Sequence, residues 1–333
     1  MAPMSRSISI IIVTFNNEGD IVPCLESILA QNVDCEIIIV DNGSKDSTIE
    51  LVRKTSDQVR ILENHGNLGY AEGNNVGAGI AENEILVIAN PDTIFQQDSL
   101  INLTKPVSEN PKVIATPLIM RTDGRVNVSG LLCSVLGHAF PRGYGLETKD
   151  ISKLPPANGV SGCCFAIRKE DLKELGGFDP RFFMYNEDTD LSWRAQTEGY
   201  RITTVDDSVI IHKYNPNFGY LKTYLLERNR YFLLKKNMPF SWMVILLPSI
   251  ILMDLFSTIA LMRFGFKGLK LKAKIYAEVA NFTSNKNTRK NGRLRNSIYP
   301  VFSSEPALTG SRYERSIRLL LERSLRANWR LVP

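Results

Sequence analysis

The chain has 333 residues and a mass of 37.5 kDa, enough for two domains or for one large domain with an appendage. Its 44% hydrophobic and 23% charged residues exclude a disordered, collagen-like or low-complexity protein. The net charge of +5 conceals a division: residues 263–333 hold 16 Lys and Arg against 4 Asp and Glu, leaving 24 basic and 31 acidic residues before them. An acidic body therefore precedes a basic tail, which suits anionic phospholipid or nucleic acid. Five cysteines (Cys24, Cys35, Cys133, Cys163 and Cys164) without a C-x-x-C pair read as reduced thiols of a cytosol-facing protein.

The first residues, MAPMSRSISIIIVTFNN, carry one arginine and then a β-rich run with no cleavage site, so no targeting segment is expected. Strands are predicted over 7–15, 35–41, 59–63, 84–89 and 113–117, and helices over 18–30, 46–55, 71–81 and 98–109. This alternation predicts an α/β fold, a mostly parallel sheet with helices on both faces. Open sheets of this kind bind ligands beyond the carboxyl ends of their strands. The residues there are Thr14-Phe15-Asn16, Asp41-Asn42-Gly43-Ser44 and Asn90-Pro91-Asp92.

Asp41 can accept hydrogen bonds from a ribose or base edge, or merely form a capping turn with Ser44. Asp92 stands where a hard cation would hold a diphosphate, although Asn90-Pro91-Asp92 also suits an ordinary turn. Neither a G-x-x-x-x-G-K-[ST] loop nor a G-x-G-x-x-G turn after a strand occurs, which argues against P-loop phosphoryl transfer and hydride transfer.

Residues 176–200, GGFDPRFFMYNEDTDLSWRAQTEGY, form the densest cluster. Glu187, Asp188 and Asp190 open a predicted helix whose apolar face includes Leu191, Trp193 and Ala195, and acids in a first turn suit the helix dipole. The preceding Phe182-Phe183-Met184-Tyr185 reads as a pocket wall, beside which a carboxylate's pKa rises toward that of a general base.

Residues 240–262, FSWMVILLPSIILMDLFSTIALM, have the length of one bilayer crossing and a single charge, Asp254. Pro248 interrupts the helix, and Asp254 would cost about 2.5–3.5 kcal/mol at the bilayer centre. Lys235 and Lys236 precede the segment, while Arg263, Lys267, Lys270, Lys272 and Lys274 follow it. Basic charge on both flanks predicts two short helices lying in the membrane interface or dipping into it, with a buried helix pair as the alternative. An arginine-rich helix is predicted over 313–328, where it could mediate self-association.

Taken together, VTFNN, VDNGS, NLGYAEGNN, NPD, GGFDPRFFMYNEDTDLSWR and a later histidine resemble the family-2 inverting glycosyltransferases of GT-A fold. The resemblance covers residues 7–237, and NLGYAEGNN with NPD is similar to the branch containing rhamnosyl- and galactofuranosyltransferases. It implies a GT-A catalytic domain over 1–237, with a nucleotide-binding half to about 120 and an acceptor-binding half after it. Residues 238–333 would then be a membrane-associating or oligomerising tail.

By the same resemblance, Thr14, Phe15 and Asn16 form the first nucleotide loop, with Glu18 beyond, and Asp41 contacts the nucleoside. Asn67, Gly69 and Asn74 border the donor. Asp92 is the last residue of the Asp-x-Asp metal motif, here begun by Asn90, and His212 is a further ligand for Mg²⁺ or Mn²⁺. Asp188 is the catalytic base, Glu187 orients the acceptor, and Arg228 reaches a phosphate, or else sits on a solvated helix face. Residues 159–168 form an acceptor-side wall.

The implied partners are a nucleotide-sugar donor, a glycan or polyprenyl-linked acceptor, and the cytoplasmic face of the cell membrane, with self-association possible through the last helices. Nucleic acid is not expected as a partner, despite Tyr299, Tyr313 and Trp329 in the basic tail. The competing readings are a sugar-phosphate nucleotidyltransferase and a non-catalytic glycan-binding scaffold on the same fold.

Overall fold

The computed structural model describes residues 8–214, 219–283, 323, 324 and 327–332. Four strands, β1 (Ile8–Thr14), β2 (Cys35–Asp41), β3 (Val59–Glu63) and β4 (Ile85–Ala89), are joined by α1 (Ile21–Leu29), α2 (Thr48–Thr55) and α3 (Gly69–Ile80). Then come β5 (Thr93–Phe95), α4 (Ser99–Glu109), β6 (Val113–Arg121), β7 (Val126–Val128), β8 (Leu131–Cys133), β9 (Ala139–Pro141) and a 3-10 turn at Thr148–Lys153. The body closes with β10 (Cys164–Arg168), α5 (Lys169–Glu174), a 3-10 turn at Pro180–Phe182, α6 (Glu187–Thr197) and β11 (Arg201–His212). A helical arm follows: α7 (Tyr220–Asn237), α8 (Phe240–Ile245), α9 (Leu247–Leu261), a 3-10 turn at Met262–Phe264, and α10 (Phe266–Asn281).

The large sheet has the order β3-β2-β1-β4-β10-β6-β11-β5, with β7 beside β6. Parallel pairing holds for β3-β2-β1-β4 and for β6-β11, but β10 enters antiparallel between β4 and β6, so the sheet is mixed. Strand β1 is buried throughout because alternate residues serve opposite faces. Ile8, Ile10 and Ile12 pack with Leu25 of α1, Val52 of α2 and Leu103 of α4, whereas Ile11 and Val13 pack with Ala71 of α3 and Leu191 of α6. At Gly77 a Cβ would come within 2.4 Å of Ile11 Cγ2, so the glycines of α3 allow close packing on β1. The carboxyl ends of β1, β2 and β4 meet the start of β10 at one edge, where the Asn90 N–H donates to the Cys163 carbonyl at 2.9 Å.

The apolar segment divides at Leu246, and Pro248 falls in the first turn of α9, where its missing N–H costs nothing. Only Ser249 and Leu261 of α9 are buried, so the segment is no core helix pair. Leu247–Phe264 is long and apolar enough to cross a membrane by length and composition. Asp254 faces the protein: Lys272 Nζ lies 2.7 Å from its Oδ1, and the hydroxyls of Tyr231 and Tyr276 also donate to it. Beneath it, Glu227 of α7 pairs with Arg230 at 2.9 Å and Lys272 at 2.7 Å. Away from this network Phe240, Val244, Leu247, Ile251, Leu255, Ile259, Met262 and Phe266 are exposed, at spacings of three and four residues. Most of the arginine-rich helix expected over 313–328 lies outside the described residues.

Candidate active site

Two loops at the sheet edge are laced together. The carboxylate of Asp41 accepts from Thr14 Oγ1 (2.8 Å), Ser44 Oγ (2.5 Å) and the N–H groups of Gly43 (3.0 Å) and Ser44 (2.8 Å). Asn16, at φ 57°, donates its N–H to Ser44 Oγ and accepts from the Lys45 N–H, while Glu18 accepts from the Ser47 N–H. These bonds hold Phe15, which is 46% exposed, against the cavity.

A second clamp fixes the turn before α6. Phe183, Tyr185 and Asn186 have φ of 64°, 68° and 65°, a conformation costing about 1–3 kcal/mol per residue. Asn229, fully buried on α7, offsets that strain through an amide nitrogen whose two hydrogens are shared among the carbonyls of Phe182 (2.9 Å), Met184 (2.8 Å) and Tyr185 (2.6 Å). Opposite, Gly69 has φ +82° and no room for a Cβ, which would lie 2.5 Å from the Phe183 ring and carbonyl. The Ala71 N–H donates to that carbonyl at 3.1 Å.

The turn presents Glu187 and Asp188. Asp188 accepts from the N–H groups of Gly162 (2.8 Å) and Thr189 (2.6 Å) and from Thr189 Oγ1 (3.1 Å), whereas Glu187 Oε2 is buried without a hydrogen bond. Burial first and the neighbouring Asp188 second push the Glu187 pKa well above the carboxylate range. Burial also raises Asp188, against the opposing pull of its hydrogen bonds. The donors around Asp188 favour placing negative charge there rather than on Glu187. Asp190, two residues further on, is bonded to Arg194, Lys236 and Asn237 and anchors α6.

At the ends of β4 and β11, His212 Nε2 stands 3.2 Å from Asp92 Oδ2. The Asn127 carbonyl oxygen lies 2.9 Å from His212 Nδ1; since it can only accept, Nδ1 carries a proton. Although burial opposes it, Cys163 and Asp92 raise the His212 pKa to about 10, so Nε2 is a donor to Asp92 Oδ2, while Asp92 Oδ1 is buried without a hydrogen-bond partner. One carboxylate and one imidazole suit a divalent cation that fills its other positions with phosphate oxygens and water. Among the described residues no group of three or more His, Cys, Asp and Glu could hold a metal.

One cavity of about 650 Å³ opens onto Phe15, Asp92, Glu187 and Asp188, and His212 stands behind Asp92 rather than in its lining. Of the residues expected from sequence, Thr14, Phe15, Asn67, Asn90, Asp92, Glu187 and Asp188 line it. The side chains of Asn16, Glu18 and Asp41 are engaged within their own loops, and Gly69 and Asn74 lie behind the wall, with Asn74 fully buried in α3. Arg228 departs from expectation: its guanidinium donates to the carbonyls of Arg181 (3.2 Å) and Phe182 (2.8 Å), so it braces the turn before α6 from outside the cavity. The cavity also includes Asn17, Tyr70, Cys163, Tyr214 and Lys222, which sequence reasoning did not assign to it. Asn17 and Tyr70 stood inside the motifs VTFNN and NLGYAEGNN, and Cys163 inside the segment 159–168; Tyr214 and Lys222 are brought in by loop and helix packing alone.

Comparison with known proteins points to glycosyltransferases. The model for N-terminal domain of galactosyltransferase matches residues 143–217. The N-acetylglucosaminyl-diphospho-decaprenol L-rhamnosyltransferase of Mycobacterium tuberculosis is 29% identical over 238 residues, covering 63% of this chain and 76% of that protein. The structure of GalNAc-T7 with UDP, GalNAc and Mn²⁺ superposes with a TM-score of 0.56 at 17% identity, over 69% of this chain and 48% of that one. The mannosyltransferase PcManGT of Pyrobaculum calidifontis, with GDP-Man and Mn²⁺, gives 0.53 at 19% identity, over 96% and 85%. Both are similar in fold. The model for Glycosyl transferase family 2 matches residues 9–176, half of the sequence, and the chain belongs to that family.

Proposed function

We propose that this glycosyltransferase moves a sugar from a nucleoside-diphosphate donor to a hydroxyl of a lipid-linked glycan, with inversion at the anomeric carbon. The observation that supports the chemistry is the unequal carboxyl pair at the cavity, with Asp188 hydrogen-bonded three times and Glu187 Oε2 bonded to nothing. Asp188 takes the acceptor's proton as its oxygen bonds to the anomeric carbon; the bond to the diphosphate breaks and its electron pair leaves with the nucleotide. Glu187, kept neutral, can donate a hydrogen bond to the incoming sugar. Asp92 and His212 would hold Mg²⁺ or Mn²⁺, which when bound neutralises charge on the departing diphosphate. Thr14, Phe15 and Asn17 frame the nucleoside end, and Asn67 with Tyr70 the donor's flank.

The acceptor class rests on the Mycobacterium tuberculosis relative, whose name specifies a diphospho-decaprenol substrate. The exposed stripe from Phe240 to Phe266 supports it, because an apolar face of this length lies in a headgroup interface while Asp254 stays paired to the protein. The cytoplasmic face of the membrane is the corresponding location. Transfer from dTDP-, UDP- and GDP-sugars into lipid-linked acceptors, with Mn²⁺ or EDTA, tests the reading. Metal-dependent turnover that disappears in Asp188→Asn, with inverted product by NMR, is expected. Retained configuration or full activity in EDTA would refute the mechanism.

A further inference from the structure

Three carboxyl residues line the cavity, Asp92, Glu187 and Asp188, and among the described lining residues Lys222 is the sole cation. Lys222 lies in the first turn of α7, its ammonium 5.6 Å from the Tyr185 ring centre and 5.2 Å from that of Tyr214. Tyr185 leads directly into the Glu187–Asp188 turn, and Tyr214 lies against His212 at 5.6 Å. Burial lowers the lysine's pKa, as expected for a charge that has given up water.

The residues flanking Lys222 contact the rest of the helical arm. Tyr220 stands edge-on to Phe264 at 5.7 Å, and Arg263 donates to Thr223 Oγ1 at 2.9 Å, so the first turn of α7 is fastened to the turn that ends α9. Leu221 is 64% exposed, Met262 57% and Phe266 72%. From Asp188 outward the surface thus presents a proton acceptor, a cation between two tyrosines, and then apolar side chains. A sugar joined through diphosphate to a lipid has the same order of hydroxyl, anion and hydrocarbon.

We propose that Lys222, between Tyr185 and Tyr214, binds the diphosphate of the lipid-linked acceptor at the junction of the cavity and the apolar face. This rests on the acceptor class proposed above. The lysine acts in ground-state binding and register: it holds the anion where the first sugar reaches Asp188, while the tyrosine rings exclude water from the contact. A charge-assisted hydrogen bond of this kind changes affinity about 10- to 100-fold. The donor also carries a diphosphate, and the experiment separates the two sources.

The full chain in lipid nanodiscs is assayed as wild type, Lys222→Ala and Lys222→Arg, using one glycan carried on a prenyl diphosphate or on an uncharged alkyl group. The expected result for Lys222→Ala is a KM for the diphosphate acceptor raised about ten-fold or more. KM for the alkyl acceptor and for the donor should stay within about two-fold, with partial recovery in Lys222→Arg. A raised donor KM with both acceptors would overturn the assignment and give the cation to the donor diphosphate. Equal losses with both acceptors would overturn it in favour of a structural role. Calorimetric titration with farnesyl diphosphate, and with farnesol as control, reads the subsite without turnover. Weaker farnesyl diphosphate binding in Lys222→Ala supports it, and unchanged binding overturns it. If wild type transfers nothing but the titration separates the variants, the transfer reading fails and the subsite stands.

Discussion

Replacing Glu187 with Gln tests the division of labour between the two carboxyls. Asp188 receives two backbone N–H bonds, at 2.8 and 2.6 Å, in addition to Thr189 Oγ1, while Glu187 Oε2 receives none. A hydrogen bond to a charged group contributes about 1.5 kcal/mol at the low end of its range. The two backbone bonds alone then favour the charge on Asp188 by about 3 kcal/mol, a ratio on the order of 100. Glu187 is therefore neutral when the enzyme works, and Gln reproduces its shape and charge. Glu187→Gln should keep kcat within about ten-fold of wild type, whereas Asp188→Asn should lose the 10²- to 10⁴-fold that a general base contributes.

The pH profile carries the same logic with a definite sign. Asp188 acts as its carboxylate and its pKa is raised, so activity falls as pH drops through that value, above the ordinary aspartate range. Because Glu187 stays protonated, its replacement leaves this acid limb in place; Asp188→Asn removes it. Steady-state kinetics between pH 4 and 9, with nucleotide affinity measured separately, supply the comparison. An equal loss of kcat in the two variants, or disappearance of the acid limb in Glu187→Gln, would refute the argument.

Three further outcomes follow from the packing. Glu227→Gln leaves Arg230 buried without its counter-charge and Lys272 with Asp254 alone, and denaturant unfolding should report a loss of about 3 kcal/mol. Although burial opposes it, these partners hold the Glu227 pKa below the carboxylate range, so its contribution is complete above the unfolded value of about 4.3 and lost as pH falls below it; the variant should lack that dependence. Gly69→Ala drives a Cβ to 2.5 Å from Phe183 at φ +82°, and thermal denaturation should show about 1–3 kcal/mol of destabilisation. Ile251→Glu with Leu255→Glu charges the exposed stripe without touching the Asp254 network, and should abolish sedimentation with anionic vesicles while the melting temperature is kept.

What the sequence disclosed and what it withheld have a common physical origin. The four parallel strands were legible to within a residue or two because their apolar runs answer only to local burial, and a strand end followed by Asp or Asn marks the ligand edge. β11 was not predicted: its Asp206-Asp207-Ser208 breaks the apolar pattern where the pairing with β6 shifts register between Val205 and Val209. Residues 159–168 were read as an acceptor-side wall, and Gly162 and Cys163 do line the cavity; that β10 enters the middle of the sheet was not foreseen, since nothing local specifies which strands a segment will enter between. The site divides in the same way. Asp92, Glu187 and Asp188 belong to compact motifs, but the roles of Asn229 and Arg228 exist only because α7 passes behind a turn more than forty residues earlier in the chain. One helix thus holds the turn before α6 with Arg228 and Asn229 and the apolar arm with Glu227, Arg230 and Tyr231. Those five residues are consecutive, and on a helix adjacent positions point in different directions, so one short segment can grip two layers at once. Displacing the arm would therefore move the support of the strained turn, an effect invisible to any reading that treats the tail as an anchor apart from the catalytic body.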